Sequence, residues 1–359
     1  VVIDLHFQGP LSPDVWTDEL VAEVEKEMAA RGDNLDVASS YLFEKALRGE
    51  FPQYCEMFKA SGITTGINSC VLSDEKQLLS AIYEASRTLS AFPWARRART
   101  AADIRAAKKA GQIAFWGVCA FNLIRPDTLH LVDIAHELGV LDVVELAYNR
   151  MTFIGAGCTE RYDPGLSHFG LEFVRRCNEI GVIVDTAHTG RQTALDACQV
   201  SSKPVVATHT SAAALYKCDR AKSDEEFRAI AASGGVIGIY ALPYFLGPPG
   251  GPPKTIELML DHIDYVSQLV GPQHVALGTD WPIALPHGIQ TRLLSPLFKS
   301  IGFRDEHNMD VTKTLEGFSD PRDLVNITRG LVKRDYSDEQ IQGILGENAL
   351  RVFAEITGL

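Results

Sequence analysis

Eight short apolar runs, separated by amphipathic helical patterns, predict a (β/α)8 TIM barrel of the α/β class, with extra helices at its C-terminal end. Three observations carry this prediction. The runs lie near 1–6, 63–70, 112–119, 142–147, 181–186, 204–209, 235–240 and 273–279, each the length of a buried strand. Most are followed by Gly, Ser, Thr, Asn or Asp. No Gly-rich phosphate fingerprint follows the first run, which weakens the rival doubly wound open sheet. A chain of 359 residues fits one such barrel, so a single domain is expected over 1–359.

The elements follow in order. Val1-Val2-Ile3 leads into Asp4, His6 and Gln8. The connection after it, about 7–62, is long and mostly helical. Between later strands lie helical patterns such as "DTLHLVDIAHELG" and "SHFGLEFVRRCNEIG". In the second, Phe169, Phe173, Val174 and Cys177 fall at helical spacing, and Gly181 stops the helix. The stretch 241–256, "ALPYFLGPPGGPPKTI", is a Pro/Gly-rich loop and is expected to form a lid or pocket edge. The stretch 281–318 holds His287 and His307, has weak periodicity and reads as an insertion after the last strand. The tail "SDEQIQGILGENALRVFAEI" reads as two helices, with Ser337 capping the first.

Composition narrows the partners. The net charge of −12 argues against nucleic acid or an anionic membrane surface. No run of about 20 apolar residues is present, so no membrane span is expected. The seven cysteines are odd in number and match no zinc knuckle or disulfide framework. They read as reduced thiols, and a cytoplasmic location follows as an expectation.

Barrel chemistry sits where strands finish. There the sequence places His6 and Gln8, Cys119, Tyr148 and Asn149, Asp185 and His188, His209, and Asp280. A lone histidine at a strand end is usually a hydrogen-bonded core residue. His188 and His209, on successive strands and each followed by a threonine, point instead to metal ligation. Imidazole, thiolate and carboxylate are the donors zinc prefers. Asp280 could hand a proton to a leaving group or simply cap a loop. Cys119 could be a ligand or a small buried hydrophobe.

The order and setting of these residues resemble the membrane (renal) dipeptidase family of the amidohydrolase superfamily. The best-matched stretch is "LAYNRMTFIGAGCTERYDPGLSHFGLEFVRRCNEIGVIVDTAHTG", residues 146–190. "KPVVATHTSA", "FRAIAASGGVIGI", "HVALGTDW" and the tail from "LVNITRG" extend the resemblance over nearly the whole chain. It implies a zinc-dependent hydrolase that cleaves a dipeptide or related small amide carrying a free carboxylate. It also implies a homodimer. His6 matches a ligand of one metal, His188 and His209 match ligands of the other, and Asp280 matches the proton carrier. Arg220 matches the clamp on the substrate carboxylate, and Tyr148 stands where the tetrahedral intermediate is steadied. Asn149, Tyr240 and Tyr244 are assigned to the substrate pocket.

Two departures alter this expectation. The family's Asp-Gly-His-x-Asp reads Asp4-Leu5-His6-Phe7-Gln8 here, and its Gly-Val-Glu-Gly reads Gly117-Val118-Cys119-Ala120. Two carboxylates are thereby lost from a site meant to balance two dications. The expected outcome is one zinc held by His188, His209 and Cys119, with His6 and Gln8 turned to substrate or water; two zinc ions are the alternative. A metal on His6, Cys119 and Asp280 is less favoured. A different reaction on the same barrel (other C–N hydrolysis, decarboxylation or hydration) or an inactive ligand-binding relic are the competing functions.

Overall fold

The computed structural model describes residues 1–7, 9, 12–32, 35–281, 286–304, 309–310 and 313–358. Its strands are β1 (Thr65–Val71), β2 (Ala95–Arg97), β3 (Ile113–Ala120), β4 (Val143–Glu145), β5 (Ile183–Asp185), β6 (Val205–Thr210), β7 (Ile237–Ile239) and β8 (Val275–Leu277). Seven of them form one curled sheet in the order β1-β3-β4-β5-β6-β7-β8, with every pairing parallel. β2 pairs with the N-terminal half of β3, off this path.

The first expected strand closes the ring without becoming a regular strand. Asp4 and Phe7 make parallel bridges to Leu277 and Trp281 beside β8. On the other side, the Thr64 amide donates to the Val2 carbonyl at 2.8 Å, just before β1. The N-terminal segment therefore lies between the last strand and the first, as a barrel requires. The other seven expected strands all occur. β2 was not anticipated: its Ala95-Arg96-Arg97 has no apolar run, and it owes its conformation to the neighbouring β3.

Local signals set the helices. The helix His168–Ile180 is capped by the Ser167 side chain and ends at Gly181, whose φ of 83° suits glycine. It buries Phe169, Phe173, Val174 and Cys177, the stripe read from the sequence. Ser337 caps Asp338–Gln342, and Asn348–Thr357 follows as the second terminal helix. Within 241–256 Pro243–Leu246 is helical and Ile256 opens the helix Ile256–Val270, and within 281–318 the helix His287–Ser300 forms. Gln8 and His307 lie outside the described residues. Among the described residues, no helix is long and apolar enough to cross a membrane.

Two faces of the sheet are distinguished by what they pack against. On one, Ile67, Trp116, Val118, Val143, Ile183 and Val206 meet Ile3, Leu5 and the C-terminal helix; Trp116 and Phe353 have ring centroids 4.9 Å apart. On the other, Cys119, Val144, Val184 and Val205 pack against Val132, Phe173 and Cys177 of the surrounding helices. Side chains alternate between faces with period two. Ala120 and Glu145 therefore share the face of Val118 and Val143, whereas Cys119 turns toward the helices.

Candidate active site

The strand ends converge on a cluster of three imidazoles and two carboxylates. His6 and His209 stack with ring centroids 3.9 Å apart and planes 25° apart. His188 Nε2 lies 3.0 Å from His209 Nε2. Glu145 Oε1 is 3.9 Å from His6 Nδ1. Asp280 at the rim has Oδ1 3.6 Å from His6 Nε2 and Oδ2 4.0 Å from His209 Nε2. His6, Glu145 and His209 each offer a ligand atom within 4.8 Å of the others, and all three are buried.

Two buried aspartates place these histidines by the same device. Asp4 Oδ1 accepts from the amides of His6, at 3.1 Å, and Thr279, at 2.9 Å, and Oδ2 accepts from the Thr279 hydroxyl. Asp185 Oδ1 accepts from the amides of Ala187 and Thr208, both at 2.9 Å, and Oδ2 accepts from the Thr208 hydroxyl. In each case a carboxylate at a strand end ties its own chain two residues on to a threonine of the adjoining strand. Gly238 and Gly278 make room beneath Thr208: a Cβ on either would stand 1.9 or 1.8 Å from its carbonyl oxygen.

These hydrogen bonds fix the imidazole tautomers. The Thr208 hydroxyl gives its proton to Asp185, so its oxygen accepts from His209 Nδ1 at 2.8 Å. His188 Nδ1 donates to Asn149 Oδ1 at 2.7 Å. Both Nε2 atoms are then lone pairs facing each other at 3.0 Å. Arg220 Nη2 meets the His188 lone pair at 3.1 Å, which leaves the His209 Nε2 lone pair turned toward His6 and Asp280.

The electrostatics favour a cation at this cluster. Burial, then the Arg220 charge, lowers the pKa of His6 to about 3, and burial also holds His188 and His209 far below the usual histidine value. All three are neutral, the form that ligates metal. Burial raises the Glu145 carboxyl well above its ordinary pKa, and the charges of Asp185 and Asp280 add to this while Arg220 opposes it. A cation among these groups would restore the carboxylate. The residues thus fit a divalent metal held by His6, Glu145 and His209, with Asp280 beside it.

Several expected residues play other parts. Cys119 is not brought to the mouth: its Sγ donates to the Val140 carbonyl at 2.9 Å on the helix-facing side. Its expected ligand role is corrected to the buried-hydrophobe reading, and the carboxylate beside His6 is Glu145 on the next strand. Cα register pairs Glu145 with Ala120, whose small side chain on the same face leaves it space. Arg220 is at the site but only 2% exposed, with Nη1 donating to the Ala187 carbonyl and Nη2 to His188 Nε2 at 3.1 Å. Asn149 is fully buried with φ of 61°, and its Oδ1 also accepts from Cys158, so it orients His188. Tyr148 stacks on His188 with centroids 4.2 Å apart. The Tyr240 hydroxyl is tied to Ser211 at 2.9 Å, and Tyr244 packs edge-on against Phe245.

Glu145 was missed as a site residue, although one signal was available. It is the single acidic residue in "VVELA", at the parity of inward Val143. Thr208 was missed because a threonine inside a strand ordinarily reads as β-propensity alone. Thr208→Val keeps the shape but breaks the Asp185–Thr208–His209 chain. It is expected to weaken metal affinity by about 10–100-fold, as loss of a group that orients a ligand does. Titration against a metal-binding dye checks this.

This combination of barrel and donor set is that of the metallo-hydrolase barrels. The chain belongs to the membrane dipeptidase family: the family's sequence profile, membrane dipeptidase (peptidase family M19), matches residues 53–296 and 298–359. The dipeptidase tcpJ of Claviceps purpurea is 28% identical over 249 residues, covering 67% of this chain and 52% of that protein. An uncharacterized dipeptidase, C965.12 of Schizosaccharomyces pombe, is 30% identical over 191 residues, covering 53% of this chain and 40% of that protein. The chain spans about half the length of the curated relatives it matches. Among solved structures, an amidohydrolase from Pseudomonas aeruginosa is similar with a TM-score of 0.73 and 27% identity, covering 84% of this chain and 91% of that one. A metallo peptidase from Rhodobacter sphaeroides, liganded with a phosphinate mimic of L-Ala-D-Ala, shares the fold with a TM-score of 0.68 and 19% identity, covering 83% and 88%.

Proposed function

We propose that the chain is a zinc-dependent hydrolase that cleaves a dipeptide or a closely related small amide. The observation that carries this is the buried group of His6, Glu145 and His209, whose ligand atoms all lie within 4.8 Å of one another beside Asp280. The naming of the curated relatives as dipeptidases supports the substrate class. His6, Glu145 and His209 would hold the ion. Zinc supplies Lewis acidity toward a carbonyl and a water acidic enough to react near neutral pH.

The chain's own residues supply the rest. Asp280 sits at the rim with its side chain 15% exposed, within reach of both the cluster and an incoming ligand. It accepts the proton of the attacking water and delivers it to the departing amine nitrogen. Asp280 adopts φ of 53°, a left-handed conformation in which Asp is enriched among non-glycine residues, and its carboxylate stands beside His6 and His209. Tyr148 stacks on the face of His188, with ring centroids 4.2 Å apart.

A panel of dipeptides, read by release of free amine, tests this reading. Turnover is expected with zinc-loaded protein, is lost on treatment with a chelator and returns when zinc is restored. Hydrolysis that survives complete removal of metal contradicts the reading. Zinc binding without turnover of any dipeptide would redirect it to another C–N bond.

A further inference from the structure

We propose that the Arg220 guanidinium stands where a second cation would sit, so that the centre takes one divalent ion and His188 serves the arginine. This rests on the reading of His6, Glu145 and His209 as a metal site.

Three observations lead to it. The His188 tautomer comes first. Its Nδ1 proton goes to Asn149 Oδ1, so Nε2 is an acceptor, and Arg220 Nη2 donates to it at 3.1 Å. An imidazole lone pair used in this way is not available to a metal.

The second observation is that the guanidinium is built in. Nη1 is anchored on the Ala187 carbonyl, and Cζ stands 6.0 Å from the centre of the buried Tyr240 ring. The Arg220 carbonyl accepts from the Thr210 hydroxyl at 3.0 Å. Next to it, Lys222 is locked by amide and carbonyl bonds to Ser211 and Ala213 and by a buried ion pair with Glu226 at 3.0 Å. Such a fork is held in place and is not a free clamp awaiting ligand.

The third observation is the charge balance. Glu145 and Asp280 are the carboxylates within 4.0 Å of the imidazoles among the described residues, while Asp185, whose charge also reaches Glu145, spends its oxygens on Ala187 and Thr208. Together Glu145 and Asp280 match one dication. A second dication beside the guanidinium would add like charge against two carboxylates already matched by the first, and desolvated like charges repel strongly. The arginine therefore supplies permanently, and without exchange, the positive charge that a second ion would otherwise bring.

Metal content of the full chain tests the proposal, with protein dialysed against excess zinc and measured by elemental analysis. One zinc per chain is expected for the wild type and for Arg220→Lys, which keeps the charge. Two are expected for Arg220→Met, which removes the charge and frees His188. Two zinc ions on the wild type, or one on folded Arg220→Met, overturn the proposal and leave the metal site itself standing. No zinc on the wild type overturns both. If Arg220→Met does not fold, cobalt-loaded wild type decides the matter: an isolated high-spin cobalt signal in electron paramagnetic resonance is expected, and a spin-coupled pair overturns the proposal.

Discussion

His209→Ala is expected to lose bound zinc and to lower kcat/KM by about three orders of magnitude. Among the three histidines, His209 is held most firmly as a metal ligand: Thr208 takes its Nδ1 proton, and its Nε2 faces the centre of the cluster. Removing it takes away the Lewis acid, whose contribution of several kcal/mol corresponds to about a thousandfold in rate. The substitution also leaves Thr208 and Asp185 without the ring they orient. Zinc content and steady-state turnover measured on one preparation check this. A variant that keeps full metal and full activity would show that the cluster does no chemistry.

The second large effect concerns which strand supplies the carboxylate. Glu145→Gln keeps the side chain's size and removes its charge. It is expected to weaken zinc binding by about 100-fold or more, at least the loss seen when a ligand's supporting group is removed. Cys119→Ala is expected to leave zinc affinity unchanged and to cost about 1 kcal/mol of stability through the small cavity it opens. The contrast follows from period-two alternation, since Glu145 shares the inward face with Val143 while Cys119 shares the outward face with Val144. Isothermal titration with zinc gives the first result, and thermal denaturation the second. Equal loss from both variants would mean that the thiol reaches the ion after all.

Much of the barrel was legible because its strands are buried on both faces and read as continuous apolar runs. Seven of the eight expected strands form as such, and the eighth forms as paired bridges that close the ring. β2 was invisible, since a sequence of Ala-Arg-Arg acquires its pairing only from its neighbour. The histidines and Asp280 were legible because polar residues at the ends of apolar strands have few other reasons to be there. Glu145 was not, because the resemblance directed attention to the third strand, where Cys119 stands in place of the family's glutamate. Glu145, on the adjacent strand, brings a carboxylate beside His6 while the third-strand motif stays broken. The use of Arg220 on His188 was equally hidden, since a contact between two loops depends on backbone geometry that no motif encodes.

The central claim is a metal centre on His6, Glu145 and His209. Anomalous diffraction at the zinc edge from crystals of the zinc-loaded protein tests it most directly. One peak is expected, within about 2.0–2.2 Å of a nitrogen of His6, a nitrogen of His209 and an oxygen of Glu145. A peak bonded to His188 or to the Cys119 sulfur, with Glu145 turned away, would contradict it.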